Sequence, residues 1–295
     1  MLGVAKSSYY RLRKPLAVNQ QETQVRQSVR DTFWQHSRRY GARRLRVELQ
    51  AQGLEIGRHR LRRILKEENL RAIQPRSFVP RTTDSGHKLG YSENLLIGRK
   101  LPPDHPNEVI VGDITYLPLQ AGGFAYLATW ADLFSRLVIG WEVEETMAES
   151  LILAAFEKGW RRRGNLPGAI VHSDRGGQYA SARFRSLLSA AGCRQSMSRA
   201  GETYDNAYAE SLFSRYKAEL LEGGAFADVE EARLETFHYI EGYYNRVRRH
   251  SSLGYLSPEE YERKYDEERA RKADENLDQK TRKGVKAKSY SCPKF

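Results

Sequence analysis

Between Glu108 and Leu221, short strand-like segments and longer helical ones follow one another in a set order, and that order most constrains what the chain can fold into. Glu108–Leu119 and Phe124–Asp132 are rich in Val, Ile, Thr, Tyr and Trp, residues that pack well on a pleated, half-buried surface. Leu137–Val143 predicts a third strand after the tight Phe134-Ser135-Arg136 connection. A helix over Met147–Arg162 follows, then a short buried strand at Ala169–His172 and a helix over Ala182–Ala191. Gln195–Ser198 supplies a fifth strand and Asn206–Leu221 a further helix. The expectation is an α/β domain, a mixed five-stranded sheet with flanking helices, filling residues 107–265 together with its C-terminal helices.

Upstream the period is helical. Val25, Val29 and Phe33 recur at four-residue spacing within Asn19–Arg39, Leu45 and Leu49 mark one face of Ala42–Gln52, and Leu61, Ile64 and Leu65 stripe Arg58–Glu68. Gly53 should end the second helix. Helix, short glycine-bearing turn, helix is the helix-turn-helix arrangement, whose second helix enters the DNA major groove. Arg58, Arg62, Arg63 and Lys66 would then occupy its solvent-facing sides. A basic helical hairpin without base readout is the alternative.

The charge distribution favours the first reading. Residues 1–72 carry 17 Lys and Arg against 6 Asp and Glu, a net +11, whereas residues 73–265 carry 23 against 25. Basicity confined to one quarter of a chain points to a nucleic-acid-binding module, here residues 1–71, joined to a near-neutral second domain. Residues 72–106, interrupted by Pro75, Pro80, Pro102, Pro103 and Pro106, read as a linker. Residues 266–295, charged and poor in aromatics, read as a flexible, disordered tail.

Several classes are excluded. No apolar run approaches the roughly 18 residues of a membrane span, and Met1–Tyr10 lacks the apolar core of a signal peptide, so a cytoplasmic, nucleoid-associated location is expected. Cys193 and Cys292 stand far apart without a CxxC pair, which argues for ordinary reduced thiols rather than a zinc or redox site.

The candidate chemistry lies in three acids: Asp113 in the first strand, Asp174 just after the fourth, and Glu210 in the late helix, with 60 and 35 residues between them. Phosphodiester chemistry needs negative ligands that hold two divalent cations about 4 Å apart. Carboxylates suit hard Mg²⁺. Asp113 in an apolar strand is costly to bury unless paired, and Asp174, followed by Gly176 and Gly177, could equally cap a turn. Glu210 gains weight from its neighbours: Asn206, Glu210, Ser214 and Lys217 form one polar helix face opposite Ala209, Leu212, Phe213, Tyr216 and Leu220. Asp132, Glu142 and Asp205 are rival acids.

Val111-Gly112-Asp113-Ile114-Thr115-Tyr116, the run from His172 to Tyr179, and Asp205-Asn206-Ala207-Tyr208-Ala209-Glu210-Ser211 with Lys217 resemble the three blocks of the retroviral-integrase-type DDE transposases. Three strands, helix, strand, helix, strand, helix is also the order of the ribonuclease-H-like fold. More closely, residues 1–265 are similar to the OrfB-type transposases of frameshifting bacterial insertion sequences. Tyr40-Gly41-Ala42-Arg43-Arg44 matches the opening of that family's helix-turn-helix, and Tyr244-Asn245, Arg248, His250, Leu253 and Ser257-Pro258 resemble its closing segment.

The resemblance implies a polynucleotidyl transferase in which Asp113, Asp174 and Glu210 hold two Mg²⁺ ions, with Mn²⁺ able to substitute. Cleavage at the element's 3′ end would be followed by attack of the freed hydroxyl on another phosphodiester, without a covalent enzyme intermediate. Lys217 would position phosphate; Asn206, Arg175 and Gln178 would contact DNA or support the ligands; Arg43, Arg44 and the basic helix would add affinity that falls steeply with salt. The partners implied are terminal inverted repeats, target DNA, further copies of the chain, and an upstream OrfA-type polypeptide or frameshift fusion. Met1-Leu2-Gly3-Val4 reads as if it lay inside a longer frame. The alternatives are a ribonuclease-H-like structure-specific nuclease without strand transfer and an inactive, element-derived DNA-binding repressor.

Overall fold

Apolar residues spaced at helical period bury one stripe each in the N-terminal unit and so decide the three helices among its described residues. A computed structural model describes residues 20–74, 90–164, 166–199 and 207–288, with side chains as far as Glu275. The chain divides into two compact units, Met1–Gln74 and Pro75–Phe295. In the first, α1 (Gln20–Gln35), α2 (Ala42–Ala51) and α3 (Arg58–Glu67) close around Val25, Val29, Phe33, Tyr40, Leu45, Leu49, Ile56, Leu61 and Ile64, all buried. Gly53 ends the turn after α2 at φ 86°, where the Leu54 amide reaches back 2.9 Å to the Leu49 carbonyl. A side chain there would clash with its own backbone. Arg26 reaches Glu22, Glu67 and Glu68, and Arg30 reaches Glu68 at 2.6 Å, so α1 is tied to α3 by charge as well as by packing.

The second unit is built on the strands β1 (Val109–Pro118), β2 (Phe124–Asp132), β3 (Val138–Glu144), β4 (Ile170–Ser173) and β5 (Arg194–Met197). They form one mixed sheet in the order β3-β2-β1-β4-β5. The short connections make β1, β2 and β3 antiparallel, and the helical crossovers make β4 and β5 parallel to β1. Alternation along each strand feeds two cores. Val109, Val111, Leu117 and Leu127 meet α6 (Ala207–Leu221), α7 (Val229–Phe237) and the wide helical turn His238–Tyr244 on one face. Ile110, Trp130 and Ile139 meet α4 (Glu149–Arg163) and α5 (Ala182–Ala190) on the other. Gly112 is dictated by this second core, because a β-carbon there would lie 2.2 Å from the Trp130 ring.

Side chains close the sheet's β3 border and direct the chain beyond it. Asn245 acts as a peptide surrogate, accepting from the Val138 amide and donating to its carbonyl, both at 3.0 Å, and Arg233 donates to the Val143 carbonyl at 2.9 Å. Glu219 of α6 is buried against Arg248 and accepts a hydrogen bond from the Tyr239 hydroxyl at 2.9 Å. A reciprocal cap at Ser257 and Glu260, with Pro258 as the first helical residue, starts α8 (Pro258–Lys288). No helix among the described residues is long and apolar enough to cross a membrane.

Two expectations need correction. The segment from Asp266, expected to be a flexible tail, continues α8 as far as Lys288, with four-residue ion pairs such as Arg263–Glu267 and Arg271–Glu275 along it. Such pairs support a helix that has no apolar stripe to advertise it. The later part of the expected linker is instead a strap on β5: Ser92 Oγ meets Gln195 Oε1 at 2.6 Å, the Ser92 amide meets Met197 Sδ at 3.4 Å, and the Leu95 amide donates to Ser196 Oγ at 2.9 Å. Pro75, Pro80, Asp205, Asn206 and Cys292 lie outside the described residues.

Candidate active site

Strand register brings the first two acids together. Val109, Ile110 and Val111 of β1 pair in parallel with Ile170, Val171 and His172 of β4. Two residues further along each chain stand Asp113 and Asp174, so they occupy equivalent positions where the adjacent strands end their pairing. By alternation Asp113 shares the face of Val109 and Val111, the face that α6 covers through Leu212, Phe213 and Tyr216. Glu210 lies in the first turn of α6, exposed, and Lys217 lies two turns further along, half-buried.

The electrostatics of Asp113 register the convergence. Burial pushes its carboxyl well above the ordinary range, Asp174 and Glu210 push it further, and the Ile114 amide and Lys217 oppose them. Like charges that share a buried site with only one partly buried cation to offset them behave in this way. Asp113 Oδ1 accepts from the Ile114 amide at 2.8 Å, and Asp174 Oδ1 accepts from the Gly176 amide at 3.0 Å, which aims each carboxylate through its own backbone. Burial lowers Lys217 from 10.5 to about 8, while Asp113 pulls the other way, and its Nζ sits 4.0 Å from the centroid of the Tyr116 ring. Among the described residues, no three His, Cys, Asp or Glu side chains already enclose a position for an ion. The donor set nonetheless fits a hard divalent cation, since all three groups offer oxygen and Asp113 carries an uncompensated charge conflict.

The remaining predicted residues divide by location. Arg175 donates through Nε to the Ser198 carbonyl at 2.7 Å, and Gln178 donates to the Met147 carbonyl at 3.1 Å, so both brace the loop that carries Asp174. His172 is buried between Ser196 and Ser198, locking β4 to β5 beneath that loop. In the other unit, Arg43, Arg58, Arg62, Arg63 and Lys66 are exposed, and Arg44 is half-buried with its guanidinium 6.0 Å from the Tyr40 ring centroid.

Of the rival acids, Asp132 is fully buried and accepts from the Asn107, Phe134 and Ser135 amides at 2.6, 2.8 and 3.2 Å, with Arg163 at 3.6 Å. It organises the β2–β3 turn. Glu142 is held by Lys158 at 2.6 Å and Arg233 at 3.8 Å. Burial raises the Cys193 thiol to about 11, which rules it out as a neutral-pH nucleophile.

Two features escape sequence reasoning. Tyr179 packs its ring against Trp130 and Phe184, and its buried hydroxyl has no hydrogen-bond partner among the described residues. Burial, then Asp113 and Asp174, push that hydroxyl well above the ordinary tyrosine range. Tyr91, on the strap, lies under the Arg175 guanidinium at 4.8 Å. Tyr179 closes the block that begins at His172, but nothing in that block signals its buried hydroxyl; the pairing of Tyr91 with Arg175, 84 positions later, had no local signal.

Comparison with known proteins matches residues 103–203 and 191–258 to two integrase core domain families and residues 20–78 to an HTH-like domain family. The chain is 41% identical over 268 residues to the transposase InsF for insertion sequence IS3A of Escherichia coli strain K12, covering 90% of this chain and 92% of that one. It is 35% identical to the transposase for insertion sequence element IS904 of Lactococcus lactis, covering 85% and 98%. Among solved structures, the simian T-cell lymphotropic virus intasome in complex with the PP2A regulatory subunit B56 gamma matches at a TM-score of 0.42 and 16% identity, over 74% of this chain and 70% of that one.

Proposed function

The chain belongs to the transposases of IS3-type insertion sequences, an integrase core preceded by an HTH-like domain, and from that premise we propose that it cleaves and rejoins DNA at the ends of such an element. The reaction is 3′-end cleavage followed by strand transfer, and Asp113, Asp174 and Glu210 hold two Mg²⁺ ions for it, with Mn²⁺ able to substitute. The observation that supports this reading is the charge conflict at Asp113, raised by burial and by both other carboxylates. When bound, the metal neutralises that conflict and supplies Lewis-acid activation of the phosphodiester.

The protein's own groups do the rest. Asp113 and Asp174 are oriented by the Ile114 and Gly176 amides, so their oxygens are set before substrate arrives. Lys217, on the helix that carries Glu210, meets a phosphate oxygen of the bound strand and fixes its height above the carboxylates. Arg175 and Gln178 hold the Asp174 loop and border the strand's path, and Asn206, outside the described residues, is a further DNA-contacting group. Arg58, Arg62, Arg63 and Lys66, with Arg43 and Arg44, supply phosphate and groove contacts to the terminal repeats. Further copies of the chain and an OrfA-type partner complete the assembly on DNA.

The test is Asp113→Asn. Cleavage of a labelled element end should fall below detection while DNA affinity stays within about threefold, as expected when an interaction confined to the transition state is removed. Pre-cut ends incubated with wild-type protein and target plasmid should yield joined product. Cleavage retained by the variant, or hydrolysis without joining, would falsify the assignment.

A further inference from the structure

Tyr91 is a large apolar side chain left exposed, at 39% of its surface, yet its position is not casual. The strap that carries it is pinned to β5 at its next residue, through Ser92 to Gln195 and Met197. On the other side the Arg185 guanidinium grips the Gly90 carbonyl. Arg175 then lays its guanidinium over the tyrosine ring, and Arg175 directly follows Asp174, so the aromatic group is fixed at the edge of the carboxylate site. The Arg175 guanidinium is itself anchored by the Ser198 carbonyl. The result is an aromatic surface held beside the Arg175 guanidinium next to a candidate metal ligand, with Arg185 fixing the backbone one residue before it.

Aromatic rings flanked by cations are how proteins hold unpaired bases: the ring stacks on the base and the arginines attract the backbone. The last pair of a duplex end is stacked on one side only and opens most readily, and a base left unpaired there gains from an aromatic surface on which to stack. We infer that Tyr91 and Arg175 form a stacking site for one unpaired nucleobase of the strand whose phosphate enters the carboxylate site. This rests on the DNA-cleaving reading above. Tyr91 acts by holding substrate and takes no part in proton or phosphoryl transfer.

The experiment uses the full chain in EDTA, so it does not depend on catalysis. The probe is a short duplex ending in an unpaired 2-aminopurine nucleotide, compared with a blunt duplex of the same sequence. Wild-type protein should quench the 2-aminopurine on binding. Tyr91→Ala should lose the quench and weaken binding of the unpaired-end duplex roughly five- to hundredfold, the range of a lost base stack, with blunt-duplex affinity held within about twofold. Tyr91→Trp should restore both. Equal weakening on both duplexes, or quenching that survives Tyr91→Ala, overturns the proposal. A wild-type chain that quenches the probe but never cleaves DNA would instead count against the catalytic reading alone.

Discussion

Lys217 offers the sharpest quantitative prediction, because its charge is poised near neutral pH. Burial drops it from 10.5 to about 8, so in the DNA-free chain it is charged below about pH 8 and neutral above. The folded chain therefore pays to keep this proton at neutral pH and gains stability as pH rises from about 8 towards the ordinary lysine value. A drop from 10.5 to about 8 corresponds to about 3 kcal/mol, which solvent screening of the half-buried side chain reduces to roughly 1–2 kcal/mol. For DNA the sign reverses. A phosphate that requires the ammonium must take up a proton above pH 8, so the Kd should rise by up to about tenfold per pH unit between pH 8 and 9.5. Lys217→Arg stays charged throughout that range. Fluorescence anisotropy with a labelled duplex in EDTA, read as the ratio of wild-type to variant affinity, isolates the effect from every other titrating group. A ratio that stays constant from pH 7 to 9.5 would refute both the burial argument and the phosphate contact.

Two further outcomes are expected. Arg248→Met takes the guanidinium away from the buried Glu219 carboxylate and should cost about 3–5 kcal/mol, most of it recovered when Glu219→Leu is added. Urea unfolding in a Trp34→Phe background, where Trp130, Trp141 and Trp160 report the second unit alone, measures this, and a double variant as unstable as the sum of the singles would contradict it. Arg62→Ala with Lys66→Ala should flatten the plot of log affinity against log salt by about 0.9 for each phosphate no longer neutralised; an unchanged slope would remove α3 from the DNA interface.

Much of the architecture was legible because its burial is periodic. Val25, Val29 and Phe33 announce α1, and the β-branched and aromatic runs announce β1 and β2, since one buried face imposes one period. Asp113 stood out as a charge in an apolar strand, and Glu210 through the polar stripe it shares with Lys217. The parts that stayed hidden depend on interactions with no period. The strap from Ser92 to Leu95 reads as linker because it adheres through individual side chains to residues about a hundred positions away. Beyond Asp266 the helix is sustained by charge pairs, whose composition is shared with disordered chains. Tyr179 enters the sequence reading only as the end of the block that starts at His172; the fold reveals a buried hydroxyl under the influence of Asp113 and Asp174.

The way the sheet ends matters beyond the monomer. Asn245 occupies both hydrogen-bonding groups of Val138, Arg233 occupies the Val143 carbonyl, and at the opposite margin Ser92 and Leu95 engage β5 through its side chains rather than as a sixth strand. At β3 these groups are no longer open to pairing with a passing chain, and at β5 the strap stands over the strand's side chains. Should copies of the chain gather on one stretch of nucleic acid, as proposed above, these blocked positions would disfavour fibre-like fusion at high local concentration.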